Sequence, residues 1–243
     1  MKKEFIAALR NADVEAVKGF IAAGEDLNEQ YGDGGDVNTP LYEALVAFAD
    51  GGDEAAFERR KAEVIEMLIE AGANPNVRGM SANDNRRNPF HRSLIFTAIG
   101  HCGRESLRAF MASGARHGLD EEARDTEGET AAWKALFRAH QADSEEDRAV
   151  GREALRDLAM AFSFAHDEYS LVDSCGTPLL FAAIDTGDIE LVGLLKGACA
   201  PDVCNPRGVT AAAYARRKGE AKIAEALEAE IRERADPYFR EYD

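Results

Sequence analysis

The sequence predicts an all-α solenoid of about six short helix pairs stacked side by side, two of them lengthened by helical insertions. Three observations carry this. A helix-start motif recurs at Asn38-Thr39-Pro40-Leu41, Gly128-Glu129-Thr130-Ala131, Gly176-Thr177-Pro178-Leu179 and Gly208-Val209-Thr210-Ala211, and the last two threonines stand 33 residues apart. Between these starts an apolar pair repeatedly runs into glycine: Phe20-Ile21-Ala22-Ala23-Gly24, Leu68-Ile69-Glu70-Ala71-Gly72 and Phe110-Met111-Ala112-Ser113-Gly114. Finally, 7 prolines against 21 glycines in 243 residues suit helices punctuated by tight turns.

Each element of the repeat has a physical task. A threonine hydroxyl caps a helix, and proline tolerates the first helical position because its missing N–H has no partner there anyway. The apolar pair lies on one face of a second helix, and the glycine supplies the left-handed residue that ends it. Asn and Asp then set the turn, as in Asp26-Leu27-Asn28 and Asn74-Pro75-Asn76. A helix pair this short cannot bury its apolar face alone, so the copies must stack.

This pattern resembles the ankyrin repeat, a unit of about 33 residues that opens Gly-x-Thr-Pro-Leu-His-x-Ala-Ala. Six units fall near residues 2–35, 36–90, 91–125, 126–172, 173–205 and 206–235, in a single domain over 1–243. The departures are natural divergence rather than consensus design. The first unit lacks the Thr-Pro start, Arg92-Ser93-Leu94 replaces it in the third, and Tyr42, Ile95, Trp133, Leu180 and Ala213 stand where the family places histidine. The Glu- and Ala-rich stretch from Glu220 to Arg234 reads as a solvent-facing terminal cap.

Two insertions break the period. In the second unit Thr39 is 25 residues from Val64, whereas in the fifth Thr177 is 14 from its counterpart Leu191. Gly51-Gly52 is expected to end the inner helix and Asp53 to cap a long outer one, on which Phe57, Val64 and Leu68 share a face. The fourth unit breaks at 141–143, followed by a Ser144-x-x-Asp147 capping box and a helix to about Phe162.

Composition narrows function. Lys and Arg total 29 against 45 Asp and Glu, a formal charge of −16. Such a field repels nucleic acid and anionic lipid and favours a basic protein partner, while also serving solubility. The run Phe5 to Leu9 is too short for the core of a signal peptide, and no stretch approaches a membrane span. Cys102, Cys175, Cys199 and Cys204 are expected to be reduced thiols of a cytoplasmic protein.

No catalytic residue, metal ligand or cofactor is assigned. Five histidines form no His-Glu-x-x-His pair, and His101-Cys102 and Cys199-x4-Cys204 lack the paired spacing of zinc sites. Gly32-Asp33-Gly34-Gly35 lacks the Lys-Ser/Thr of a phosphate-binding loop.

Binding is better specified. The resemblance implies that fingers and inner helices form a groove, into which the residue after the histidine position points: Ile6, Glu43, Phe96, Lys134, Phe181 and Tyr214. Three are aromatic, the class that anchors interfaces, although an inserted helix covering them would make them core. Acidic fingers add Asp33 and Asp36 around Tyr31, and Asp120, Glu121 and Glu122 further along. A basic finger between them carries Arg78, Arg86, Arg87 and Arg92. The expected function is a protein-binding module, monomeric when free, that occludes or sequesters a protein partner. The chain looks like a stand-alone ankyrin protein of bacterial type, some of which are immunity proteins neutralising a toxin. The alternatives are an adaptor or effector scaffold and, behind it, an enzyme or small-molecule binder.

Overall fold

A computed structural model describes residues 2–31, 38–79, 92–120, 123–125, 128–165, 172, 176–196 and 202–235. Its packing divides into two units, Met1–Glu127 and Gly128–Asp243.

The first unit contains α1 (Lys3–Arg10), α2 (Val14–Ala22), α3 (Pro40–Val46), α4 (Glu54–Glu70), α5 (Leu94–His101) and α6 (Arg104–Arg116). Within it α1, α3 and α5 pack in one layer and α2, α4 and α6 in another, each helix also touching its sequence partner. The second unit repeats the plan. There α7 (Ala131–Gln141), α9 (Leu179–Thr186) and α11 (Ala211–Lys218) form one layer. Opposite them lie α8 (Glu145–Ala165), α10 (Ile189–Leu195) and α12 (Ala221–Ala235). Extended structure among the described residues is one ladder, β1 (Arg78–Gly79) against β2 (Arg92–Ser93), plus single bridges such as Tyr31–Asn38 and Cys204–Thr210.

Helix starts follow the sequence motif. The hydroxyls of Thr39, Thr130 and Thr210 accept from the backbone N–H of Tyr42, Trp133 and Ala213 at 3.2, 3.4 and 3.3 Å. Pro40 sits in the first turn of α3. In α9 the frame slips by one residue: Pro178 is itself the cap position, and no side chain caps the helix.

The outer helices end less uniformly than the sequence suggests. Gly72, just beyond α4, takes φ +104°, which an L side chain rarely adopts. Gly114 does not end α6. It lies inside the helix, packed so closely on Leu119 that an added Cβ would stand 3.0 Å from Cδ2, and the left-handed turn is made by Gly118.

In the first unit a polar ladder fixes successive turns. Asn28 Nδ2 donates to the Gly72 carbonyl at 3.0 Å, and its Oδ1 accepts from Asn74 N at 2.8 Å. Asn76 repeats the clamp, donating to the Gly118 carbonyl at 2.7 Å and accepting from Asp120 N at 2.7 Å. Each asparagine satisfies one acceptor and one donor of the neighbouring turn, which no apolar or acidic side chain does alone.

The core is aliphatic and aromatic: Phe5, Leu9, Leu45, Ile65, Leu68, Ile95, Ile99 and Phe110 in the first unit, Leu155, Leu158, Leu180, Leu191 and Leu227 in the second. Both insertions are helical, and α4 and α8 are the longest described helices, at 17 and 21 residues.

Candidate functional site

The groove positions expected from the sequence do not share one environment. Glu43 is only 1 % exposed, Phe96 4 % and Phe181 3 %, so these three belong to the core and present no free binding surface. Their burial follows from position. Glu43 bonds to Arg10 of α1 and Phe181 packs on Tyr214 of α11, so at these two positions the side chain meets the neighbouring helix of its layer.

Glu43 has internal partners. Arg10 Nε donates to its Oε2 at 2.6 Å, and the other Arg10 nitrogen and Asn38 Nδ2 donate to Oε1 at 3.3 and 3.4 Å. The hydrogen bond to Glu43 raises the Arg10 pKa further above its ordinary value. Tyr31 lies beside this group with its hydroxyl buried and no hydrogen-bond partner of good geometry among the described residues. Burial first, and then the Glu43 carboxylate, push its pKa upward, because both disfavour the phenolate. Asp120 is exposed on the turn clamped by Asn76. Asp33, Asp36, Glu121 and Glu122 lie outside the described residues, as do Arg86, Arg87, Cys175, Cys199 and the glycine cluster 32–35.

The second unit holds a concavity between α7 and α9. A pocket of about 280 Å³ is lined by Trp133, Leu136, Phe137, His140 and Gln141 of α7, with Ala182, Asp185 and Thr186 of α9 opposite. Phe137 leaves 43 % of its surface exposed, and its ring meets Trp133 at 6.0 Å, tilted by 43°. The spacing from Trp133 to Phe137 and on to His140 and Gln141 places all four on one face of α7.

On α11, the Tyr214 hydroxyl donates to Asp185 Oδ1 at 2.8 Å, and its ring packs edge-on against Phe181 at 5.3 Å. Lys218 pairs with the same oxygen at 2.7 Å while its ammonium lies over the Tyr214 ring at 5.5 Å. Asp185 and Lys218 occupy one register position, eight residues after Thr177 and Thr210, so the ion pair is a contact between equivalent sites of adjacent repeats. Desolvation and the Asp185 bond raise the Tyr214 pKa, and Asp185 raises that of Lys218. Lys134 is half-buried on the same helix as Trp133.

Of the sequence candidates, Tyr214 bonds to a residue of the pocket wall, Lys134 shares a helix with Trp133, and Phe137 and Asp185 of the lining were not among them. Phe137 was within reach as the residue one turn after Trp133. Asp185 was not, because a single carboxylate among 45 acidic residues carries no positional signal until its neighbours are known.

Cys102 is buried, with its Sγ 3.7 Å from the Leu45 carbonyl, and Cys204 is exposed. Among the described residues no three His, Cys, Asp or Glu side chains gather as a metal site requires, and no helix is long and apolar enough to cross a membrane.

No family model matches the chain. Over 72 residues it is 40 % identical to myotrophin of Xenopus tropicalis, a match spanning 30 % of this chain and 48 % of that protein, about half of its length. Among solved structures, the ankyrin repeat domain of Bcl-3, a member of the IkappaB protein family, superposes with a TM-score of 0.64 at 22 % identity, covering 97 % of this chain and 87 % of that one. An ankyrin repeat domain of Acinetobacter baumannii gives 0.61 at 22 % identity over 93 % and 96 %. A chain from the complex of a predatory endopeptidase of Bdellovibrio bacteriovorus with its immunity protein gives 0.55 at 18 % identity over 94 % and 98 %.

Proposed function

We propose, from the premise that this chain has the ankyrin-repeat fold, that it is a protein-binding module and not an enzyme. Its partner is a basic protein, which it occludes in the manner of an immunity protein. The observation that carries this reading is the partly exposed Trp133–Phe137 pair at the mouth of a pocket framed by Asp185. Aromatic rings at a partly exposed concave site are what interfaces use as anchors. The charge of −16 adds long-range attraction for a cationic partner. In the second unit Phe181 supports α9 from within the core, and Lys134 and Tyr214 lie on the helices beside the contact, while Asp120 of the first unit adds to the acidic charge. Tyr31, Asp33, Asp36, Glu121 and Glu122 complete the acidic fingers that steer encounter.

The immunity role draws on the fold shared with the endopeptidase–immunity protein complex together with the acidic charge. The test begins with the product of the gene adjacent to the one that encodes this chain. Co-expression should relieve that protein's toxicity, and association should slow when Asp120→Asn, Glu121→Gln and Glu122→Gln are combined, more at low salt than at high. A neighbouring product that is neither toxic nor bound sinks the immunity role. Equal association rates for wild type and triple variant at low salt sink the electrostatic part.

A further inference from the structure

We propose that the pocket between α7 and α9 is a socket for one arginine side chain of the protein partner. The inference rests on the protein-binding reading above and adds the chemistry of the residue recognised. At about 280 Å³ the pocket falls just below the ~300–1,000 Å³ of small-molecule sites, a size suited to a single inserted side chain. Its walls are of two kinds. Trp133 and Phe137 supply aromatic rings on one side, and Asp185 supplies a carboxylate on the other. A guanidinium meets both demands at once, stacking its plane on a ring while its N–H fork donates to an acid.

The carboxylate has room for this. Both Tyr214 and Lys218 bond to Asp185 Oδ1, and Oδ2 has no partner among the described residues. The neighbouring repeat already uses the same combination within the chain, where the Lys218 ammonium lies over Tyr214 and pairs with Asp185. An arriving arginine extends that arrangement by one helix, over Trp133 and onto Oδ2. The positive charge of Lys218 opposes a second cation, but its side chain is 48 % exposed and its field is screened by water and salt. Lysine suits the socket less well, since its compact, strongly hydrated ammonium neither stacks as a plane nor binds in a fork.

The chain holds a single tryptophan, so indole fluorescence and the indole N–H resonance report on Trp133 alone. The full chain is titrated with N-acetyl-arginine amide, with its neutral isostere N-acetyl-citrulline amide, and with N-acetyl-lysine amide. The arginine compound should give a saturable response, with citrulline about tenfold weaker and lysine intermediate. Asp185→Asn and Phe137→Ala should each weaken the arginine response by about three- to tenfold. Asp202→Asn removes the same charge from an exposed acid that does not line the pocket, so it should change affinity by less than about twofold, which separates recognition by Asp185 from a change in overall charge. Equal responses to arginine and citrulline, or no saturable response to arginine, overturn the socket. If a basic protein binds through Phe137 while the arginine probe does not respond, the socket fails and the protein-binding reading stands. If the arginine probe binds and no basic protein does, the socket stands and the broader reading fails.

Discussion

The long helices α4 and α8 each arise from an insertion that breaks the repeat, yet they are held by different forces. α4 is tethered by a buried charge. Lys61, 1 % exposed, donates from Nζ to the carbonyls of Ala47 at 2.9 Å and His101 at 3.3 Å, and pairs with Glu58 at 3.7 Å. Ala47 follows the end of α3 and His101 ends α5, so one ammonium satisfies carbonyls left open at two inner helix ends. Glu58 is held in turn by Ser106 of α6 at 2.6 Å, and a Cβ at Gly103 would meet its carboxylate at 2.6 Å.

α8 is anchored by contact. At Gly151 an added Cβ would stand 2.3 Å from the Ala139 backbone nitrogen, so the α7 and α8 backbones touch where no side chain intervenes. The difference teaches that a polar tether fixes register through direction, whereas a glycine contact fixes distance. Each fails in its own way when altered.

The sharpest break is Lys61→Met, which keeps length and apolar bulk and removes the donors. It takes the donor from the Ala47 and His101 carbonyls and the cation from Glu58, which keeps its bond from Ser106, and we expect a loss of about 3–5 kcal/mol by chemical denaturation. A loss under about 1 kcal/mol would mean water replaces the ammonium and the tether is incidental. Gly151→Ala should cost about 1–3 kcal/mol, because α7 and α8 must part to admit a methyl group. An unchanged midpoint would show that the two helices separate freely.

Asn76→Ala removes a clamp between exposed turns of the first unit, where water replaces the lost bonds, and should cost about 1 kcal/mol or less. Amide exchange at Asp120, whose N–H the Asn76 side chain accepts, should quicken in the same variant. Protection of that amide equal to wild type would mean the ladder fixes nothing.

The smallest effect belongs to the start of α8. Arg138 donates to Asp147 Oδ1 at 2.6 Å, and this contact, aided by Ser144, holds the Asp147 pKa below its ordinary value. A depressed folded-state pKa gives stability that is present above the ordinary aspartate range and lost as pH falls through the folded value. The side chain is 50 % exposed, so the gain is screened and should stay under about 1 kcal/mol. Arg138→Gln should therefore narrow the stability difference between pH 7 and acid, and should return the Asp147 carboxylate toward its ordinary titration by NMR. An unmoved titration would assign the shift to Ser144 instead.

Much of the architecture was legible in the residues. Thr39, Thr130 and Thr210 cap the helices their motifs announce, and Asp53 caps α4, accepting from Ala56 N at 3.0 Å. Ser144 accepts from Asp147 N at 3.0 Å, opening a helix that runs three residues beyond the expected Phe162. These features are local, set by bonds that span three or four residues, and a local rule reads them directly. Lys61 was invisible for the opposite reason: a lysine on a charged helix reads as a solvated face, and only the arrival of Ala47 and His101 makes it a buried donor. Gly114 misled because the glycine of an apolar-pair motif ends a helix only if the next residues do not continue it, and here Leu119 packs back onto it.

The sequence by itself determined the repeat, its helix starts, the two insertions and the acidic charge, because periodicity, capping and net charge are properties of neighbouring residues and of composition. Tertiary structure alone decided which side chains remain in water. Phe96 and Phe181 share a repeat position with Tyr214, yet they are buried while Tyr214 is half-exposed, since burial depends on the surfaces that meet across a layer. For the same reason the pocket at Trp133, Phe137 and Asp185 joins residues about 50 positions apart, held together by helix packing that no local pattern encodes.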